Sequence, residues 1–139
     1  MIAVDTNVLI YRIDRSEPVK QGKARLLLRR LAVGPEPTVM PWQVLCELVR
    51  HLRYWQDKKQ LTRAAMLRYV GGFRSLFPVA MPTAAALDRA LALSARYSLS
   101  HWDSMLLGAG LEANVATLYT EDMGSPCVYG GIQLINPFI

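Results

Sequence analysis

Apolar and polar positions along this chain follow two different periods, and the changes between them mark out its elements. Ile2-Ala3-Val4 is a short apolar run with β-branched members, followed at once by Asp5-Thr6-Asn7, side chains that cap or turn the backbone well. The pair predicts a buried strand running into a helix. From about Val19 to Val33, Ala24, Leu27, Leu28 and Leu31 recur at helical spacing. Lys20, Lys23, Arg25, Arg29 and Arg30 stand between them, so this is a basic amphipathic helix, ended by Gly34-Pro35. Pro37 to Pro41 leaves room only for a very short extended segment, and Trp42 to about Lys59 reads as a long helix. Thr62 caps another that reaches toward Phe77, with Gly71-Gly72 weakening its middle. After Pro78-Val79-Ala80-Met81-Pro82, the Ala- and Leu-rich stretch from Thr83 to Tyr97 is strongly helical, and Ser100 opens a further helix that fades near Asn114. Ala116 to Thr120 has strand character, and Gly130-Gly131 precede a last strand at Ile132-Gln133-Leu134-Ile135.

Short apolar strands separated by helices predict an α/β fold, a small parallel β-sheet flanked by helices on its faces. The chain shows no repeat and no linker, and 139 residues fit one domain. In such sheets ligands bind outside the carboxyl ends of the strands, which directs attention to the residues just past each strand.

Composition narrows the classes. At 52% hydrophobic and 19% charged the sequence is neither disordered nor fibrous. No apolar run approaches the roughly 18 residues that cross a bilayer, and the opening lacks the basic leader of a signal peptide, so a cytoplasmic protein without membrane contact is expected. Cys46 and Cys127 form no CxxC, and His51 and His101 supply no zinc-type spacing, which argues against a disulfide scaffold or a Cys/His metal centre. A net charge of +5 attracts polyanions, nucleic acid being the commonest, and is equally compatible with a merely basic soluble surface.

The acids carry the sharper signal. Asp5 follows the first strand and Asp122 the strand ending at Thr120, so both are expected at one edge of the sheet. Taken singly, Asp5 is an ordinary N-cap and Asp122 an ordinary turn residue. Asp103 lies three residues after Ser100 in a capping-box-like pattern; in a helix's first turn its carboxylate also stays ionised beside the positive dipole end and is ready for a cation. Glu47 projects off the stripe made by Val44, Leu45, Leu48, Val49 and Leu52, toward Arg50, His51 and Tyr54, where a pair with Arg50 or His51 is the ordinary expectation. Several carboxylates can share a pocket ionised only if a cation offsets their repulsion. Hard oxygen ligands select magnesium or manganese over zinc or copper, and such ions suit phosphodiester hydrolysis.

With Asp5-Thr6-Asn7, Glu47, Asp103 and Thr120-Glu121-Asp122 in view, the sequence resembles the PIN-domain ribonucleases, most closely the VapC-type toxins of bacterial toxin–antitoxin pairs. The resemblance covers nearly the whole chain, from Ile2-Ala3-Val4-Asp5-Thr6-Asn7 through Cys46-Glu47-Leu48, Leu99-Ser100-His101-Trp102-Asp103 and Leu118-Tyr119-Thr120-Glu121-Asp122 to the tail Ile135-Asn136-Pro137-Phe138. It implies one PIN-like domain over residues 1–139 with a three-layer α/β/α architecture. It also implies Mg- or Mn-dependent endoribonuclease activity, a homodimer, and inhibition by a VapB-type antitoxin. Asp5, Glu47 and Asp103 would hold the metal or position water, Asp122 would complete the pocket, and Asn7 or Thr120 would support it.

The stretch from Met123 to Tyr129 departs from the pattern, being more apolar than the polar, glycine-containing link expected after the fourth acid, and this leaves Glu121 as an alternative to Asp122. Arg12, Arg15, Lys20, Lys23, Arg50 and Arg53 are candidates to line an RNA path, although for any one of them a solvated helix face is the ordinary expectation. Tyr11, Trp42, Trp55 and Trp102 are not assigned to RNA. A haloacid-dehalogenase-like enzyme would need a second Asp where this chain has Asn7, and a response-regulator receiver would need paired early acids that are missing. The remaining alternative is a non-catalytic PIN-like module that binds RNA or protein.

Overall fold

The apolar run at the start becomes β1 (Ile2–Val4), buried throughout, in a computed structural model that describes residues 1–124 and 127–139. Asp5 accepts the Thr6 N–H and caps α1 (Thr6–Ile13); α2 (Pro18–Val33) then starts on a proline, whose fixed φ and missing N–H suit a first helical position. β2 (Thr38–Pro41) leads directly into α3 (Trp42–Asp57). Thr62 caps α4 (Arg63–Leu76), which runs unbroken through Gly71-Gly72. After β3 (Val79–Ala80) come α5 (Ala84–Arg96), capped by Thr83, and α6 (His101–Glu112), capped by Ser100. Asn114, at φ 59°, takes the left-handed conformation that ends helices, as its position in the sequence predicts. β4 (Thr117–Tyr119), β5 (Cys127–Tyr129) and β6 (Ile132–Ile135) complete the described elements.

The strands form one sheet in the order β3-β2-β1-β4-β6-β5, parallel except for β5 against β6. Helices cover both faces: α1 packs on α2 and α3, and α3 on α4, while α5 packs chiefly on α6. This is the expected three-layer α/β/α arrangement. Val4, Val8, Leu9, Met40, Val44, Leu48, Leu52, Leu107 and Leu134 are sealed from solvent in its core. The α5–α6 contact depends on Gly108, where a Cβ would stand 2.6 Å from Ala86 O and 2.9 Å from Ala90 Cβ.

Two strands go beyond the sequence reading. β3 spans only two residues between prolines, too few to show any period. β5 lies in the stretch read as an apolar link; it is a strand because Gly130 (φ 59°) and Gly131 (φ 99°) turn the chain back onto β6, the paired positive φ values of a tight hairpin. Ser125 and Pro126 of that stretch lie outside the described residues. Both cysteines are free, and no helix among the described residues is long and apolar enough to cross a membrane.

Candidate active site

β1 and β4 are parallel neighbours with Val4 opposite Tyr119, so Asp5 and Thr120 leave the sheet side by side at its carboxyl edge. The Asp5 N–H donates to Tyr119 O at 2.9 Å. Thr120 is fully buried and its hydroxyl donates to Asp5 Oδ2 at 2.7 Å, while the other Asp5 oxygen accepts the Thr6 N–H at 2.6 Å. Thr120 Oγ1 also accepts from Asp122 N at 3.1 Å and from Asn7 Nδ2 at 3.3 Å. Asn7 Nδ2 lies 3.2 Å from Asp122 Oδ2, and Asn7 Oδ1 accepts the Glu121 N–H at 3.3 Å. One amide thus ties the start of α1 to the segment after β4.

Glu47 enters from α3, behind β2. It does not pair with Arg50 or His51: Oε2 accepts the Thr6 hydroxyl at 3.0 Å and Oε1 accepts Gln43 Nε2 at 2.9 Å. Gln43 also donates to Trp102 O at 3.0 Å, which docks the first turn of α6 against α3. Asp103 sits in that turn, its N–H donating to Ser100 Oγ at 3.2 Å, so the side chain is released toward the cavity while the backbone is capped. The i,i+4 spacing of Gln43 and Glu47 was a usable signal; nothing local in the sequence marks Thr6 as a partner of Glu47.

Asp5, Glu47, Asp103 and Asp122 line one open pocket of about 460 Å³, shared with Asp14, Arg50, His51, Trp55 and Trp102. Arg50 is the one Lys or Arg among those lining residues, and no described ion pair involves any of the four acids. Burial pushes His51 below its ordinary value, with Arg50 acting in the same direction and Asp14 opposing. Burial pushes Asp5 up to about 6; the hydrogen bonds from Thr120 and Thr6 pull it down, and the neighbouring charges of Glu47 and Asp122 raise it further. Burial is the main cause of both shifts, and at Asp5 the neighbouring acids add to it. Among the described residues no three His, Cys, Asp or Glu side chains are already arranged around an ion, so the acids converge without closing a cage. The donors are nevertheless all carboxylate oxygens, the chemistry that suits Mg²⁺ or Mn²⁺.

The other candidates separate. Glu121 does not line this pocket; it accepts from the hydroxyl of Tyr11, a residue of the pocket wall, at 2.7 Å and pairs with Lys20. Lys23 Nζ donates to Phe138 O at 2.8 Å. Arg50 lines the acidic pocket and Arg53 a shallow depression beside it. Arg12 lies instead in an apolar groove of about 730 Å³ with Arg25, Arg29 and Arg68, and Arg15 in a hollow next to it. Trp42 and Trp102 are exposed, and Trp55 is half-buried.

The family model described as the PIN domain matches residues 2–124. No curated protein sequence matches the chain significantly. Among solved structures it is similar to VapBC2 from Rickettsia felis bound to a DNA fragment from their promoter, with TM-score 0.70, 18% identity and 98% of each chain covered. A toxin–antitoxin complex from Klebsiella pneumoniae gives TM-score 0.65 at 19% identity, covering 99% of this chain and 98% of that one. VapC20 from Mycobacterium tuberculosis, described as a sarcin-ricin loop cleaving toxin, gives 0.67 at 17%, covering 96% and 99%. At these identities the likeness is one of fold, whereas the family match spans all four converging acids, and on it the chain belongs to the PIN-domain family.

Proposed function

We propose that this chain folds as one PIN-like domain acting as a metal-dependent endoribonuclease of the VapC toxin type, working in the cytoplasm as a homodimer under the control of a VapB-type antitoxin. The observation that carries the reading is the convergence of Asp5, Glu47, Asp103 and Asp122 on one pocket without a described ion-pair partner. When bound, Mg²⁺ or Mn²⁺ supplies charge neutralisation at the scissile phosphate and a more acidic attacking water. Asp5, Glu47, Asp103 and Asp122 are the residues that would hold it. Hydrolysis breaks one P–O bond, adds water across it and leaves a phosphate monoester and a hydroxyl. Asp5 is aimed by Thr120 and Thr6, Glu47 by Thr6 and Gln43, and Asp122 by Asn7, so the acids are set before substrate arrives. Arg50, and Arg53 beside it, are positioned to meet the phosphates that flank the cut.

The apolar groove supports the antitoxin part of the reading. Leu28, Val33, Phe73 and Leu76 line it and Arg12, Arg25, Arg29 and Arg68 surround them, a chemistry matched by an amphipathic segment bearing acidic residues. The intervening hollow shares Arg68 and Tyr69 with the groove and Asp14 and Trp55 with the acidic pocket, so a segment seated in one is led toward the other.

A non-catalytic RNA- or protein-binding module is the second reading, favoured by the lack of a ready-made three-ligand arrangement among the described residues. Cleavage of total cellular RNA by purified protein with Mg²⁺ or Mn²⁺, against EDTA and an equally purified Asp103→Asn variant, separates them. Discrete fragments from the wild type alone, abolished by chelation, are expected. The same pattern from both proteins would identify a contaminant, and silence from both across the metal range would leave the binding module.

A further inference from the structure

The segment that carries Asp122 is held through its neighbour Glu121. Glu121 gives its N–H to Asn7 Oδ1 at 3.3 Å, while its carboxylate accepts from the Tyr11 hydroxyl at 2.7 Å and pairs with Lys20 Nζ. Lys20 Nζ also meets Tyr11 Oη at 3.0 Å and lies 4.5 Å from the Tyr11 ring centroid. That ring meets Phe138 edge-on at 4.9 Å, so the ammonium is seated against aromatic faces from α1 and from the segment after β6. Beyond Asp122 the chain turns sharply, with Met123 at φ 65° and Gly124 at φ 76°, and the Tyr129 hydroxyl donates to Met123 O at 3.2 Å. Asp122 itself is exposed.

Lys20 and Glu121 therefore satisfy each other, and neither is free for the role its residue type suggests, a phosphate contact or a metal ligand. With side chains 31% and 27% exposed, such a pair adds little to global stability. Its effect is geometric, because the residue it anchors is adjacent to Asp122 and bonded to Asn7, which meets Asp122 in turn. We propose that Lys20 is a positioning residue for the acidic pocket: by anchoring Glu121 together with Tyr11, it directs Asp122 and Asn7 into the site. The proposal rests on the nuclease reading above.

The test is Mn²⁺ binding to the full chain, read from the electron paramagnetic resonance signal of free Mn²⁺, for wild type, Lys20→Met and Lys20→Arg. It is joined by the salt dependence of RNA binding with the same Lys20 changes on an Asp103→Asn background. Lys20→Met is expected to weaken Mn²⁺ roughly tenfold, the effect of losing an outer-shell partner. Lys20→Arg should restore most of that loss, and the salt slope should not change. Tighter Mn²⁺ binding in Lys20→Met would mean that Glu121 had been released as a ligand and would overturn the proposal. So would unchanged Mn²⁺ affinity, whether or not the slope falls by the roughly 0.7 of a lost phosphate contact. Should Lys20→Met fail to fold, Tyr11→Phe removes the second anchor while keeping the ring, with weakening expected and tightening or no change refuting. A wild type that binds no Mn²⁺ would remove the nuclease reading and this proposal together, whereas normal wild-type binding with unaffected variants removes this proposal alone.

Discussion

Replacing Asp5 with Asn should make the metal-free protein relatively more stable as pH rises, while disabling the site. Asp5 is buried among acids and titrates near 6 instead of 3.8. A raised folded value means that the native state keeps its proton while the unfolded chain has lost it. Below the unfolded value both states are protonated and Asp5 costs nothing; as pH climbs toward 6 the cost grows, and above 6 it is fully present. The interval is roughly two pH units, each worth about 1.4 kcal/mol, so the wild type forfeits about 3 kcal/mol on this account by pH 8. Asn has the same shape and no charge. It weakens the hydrogen bonding with Thr120 and Thr6 by about 1 kcal/mol, but that offset does not vary with pH. Urea denaturation in EDTA at pH 4 and pH 8 isolates the linkage: the unfolded carboxyl is already partly ionised at pH 4, so the stability difference, Asp5→Asn minus wild type, should rise by about 2.4 kcal/mol between them. Adding Mn²⁺ at pH 8 should raise the wild-type midpoint and leave the variant's unchanged. A stability difference that is flat with pH, or that falls, would refute the account of Asp5 as a destabilising buried charge.

Thr120→Val removes the hydroxyl that aims Asp5 and leaves Asn7 Nδ2 and Asp122 N short of an acceptor, so Mn²⁺ affinity should drop roughly tenfold in a metal titration. Equal affinity would show that the buried hydroxyl does not orient the site. Gly108→Ala forces a Cβ into Ala86 O and Ala90, and should cost roughly 1–3 kcal/mol in urea denaturation; a change under about 0.5 kcal/mol would mean that α5 yields freely. Arg50→Gln should lower the salt slope of RNA binding by roughly 0.7, whereas Arg12→Gln, in the apolar groove, should leave it unaltered. Equal slopes for the two would undo the separation of RNA path from groove.

The sequence revealed the acids and the scaffold because both arise from local rules. An apolar triplet marks β1 and the β-prone Thr117-Leu118-Tyr119 marks β4, parallel strands deliver the residues just past their carboxyl ends to one edge, and Asp5 and Asp122 line one pocket. Asp103 was readable through its cap. The contacts that stayed hidden are distant in sequence or involve residues that look like surface. Thr6 reaches Glu47 across 41 positions, and Lys20 reaches Glu121 across 101. A basic residue on a basic helix face carries no mark of having been neutralised. β5 was hidden for another reason: Cys127-Val128-Tyr129 is a strand only because a glycine turn supplies β6 as its partner.

The placement of β1 also has a consequence for the order in which the site comes into being. Ile2 is paired with Thr117, and Asp5 takes its hydroxyl donor from Thr120, 115 positions later, so β1 waits for a strand made long after it. Closing a loop of that length before its contacts can form is slow, and pairings of this kind dominate the folding time of a domain. During synthesis, α1 to α4 can collapse on one another while Asp5 still lacks Thr120 and Asp122. The acidic pocket is therefore a property of the finished chain: a nascent or truncated product ending before β4 carries three of the acids and cannot assemble them with the fourth.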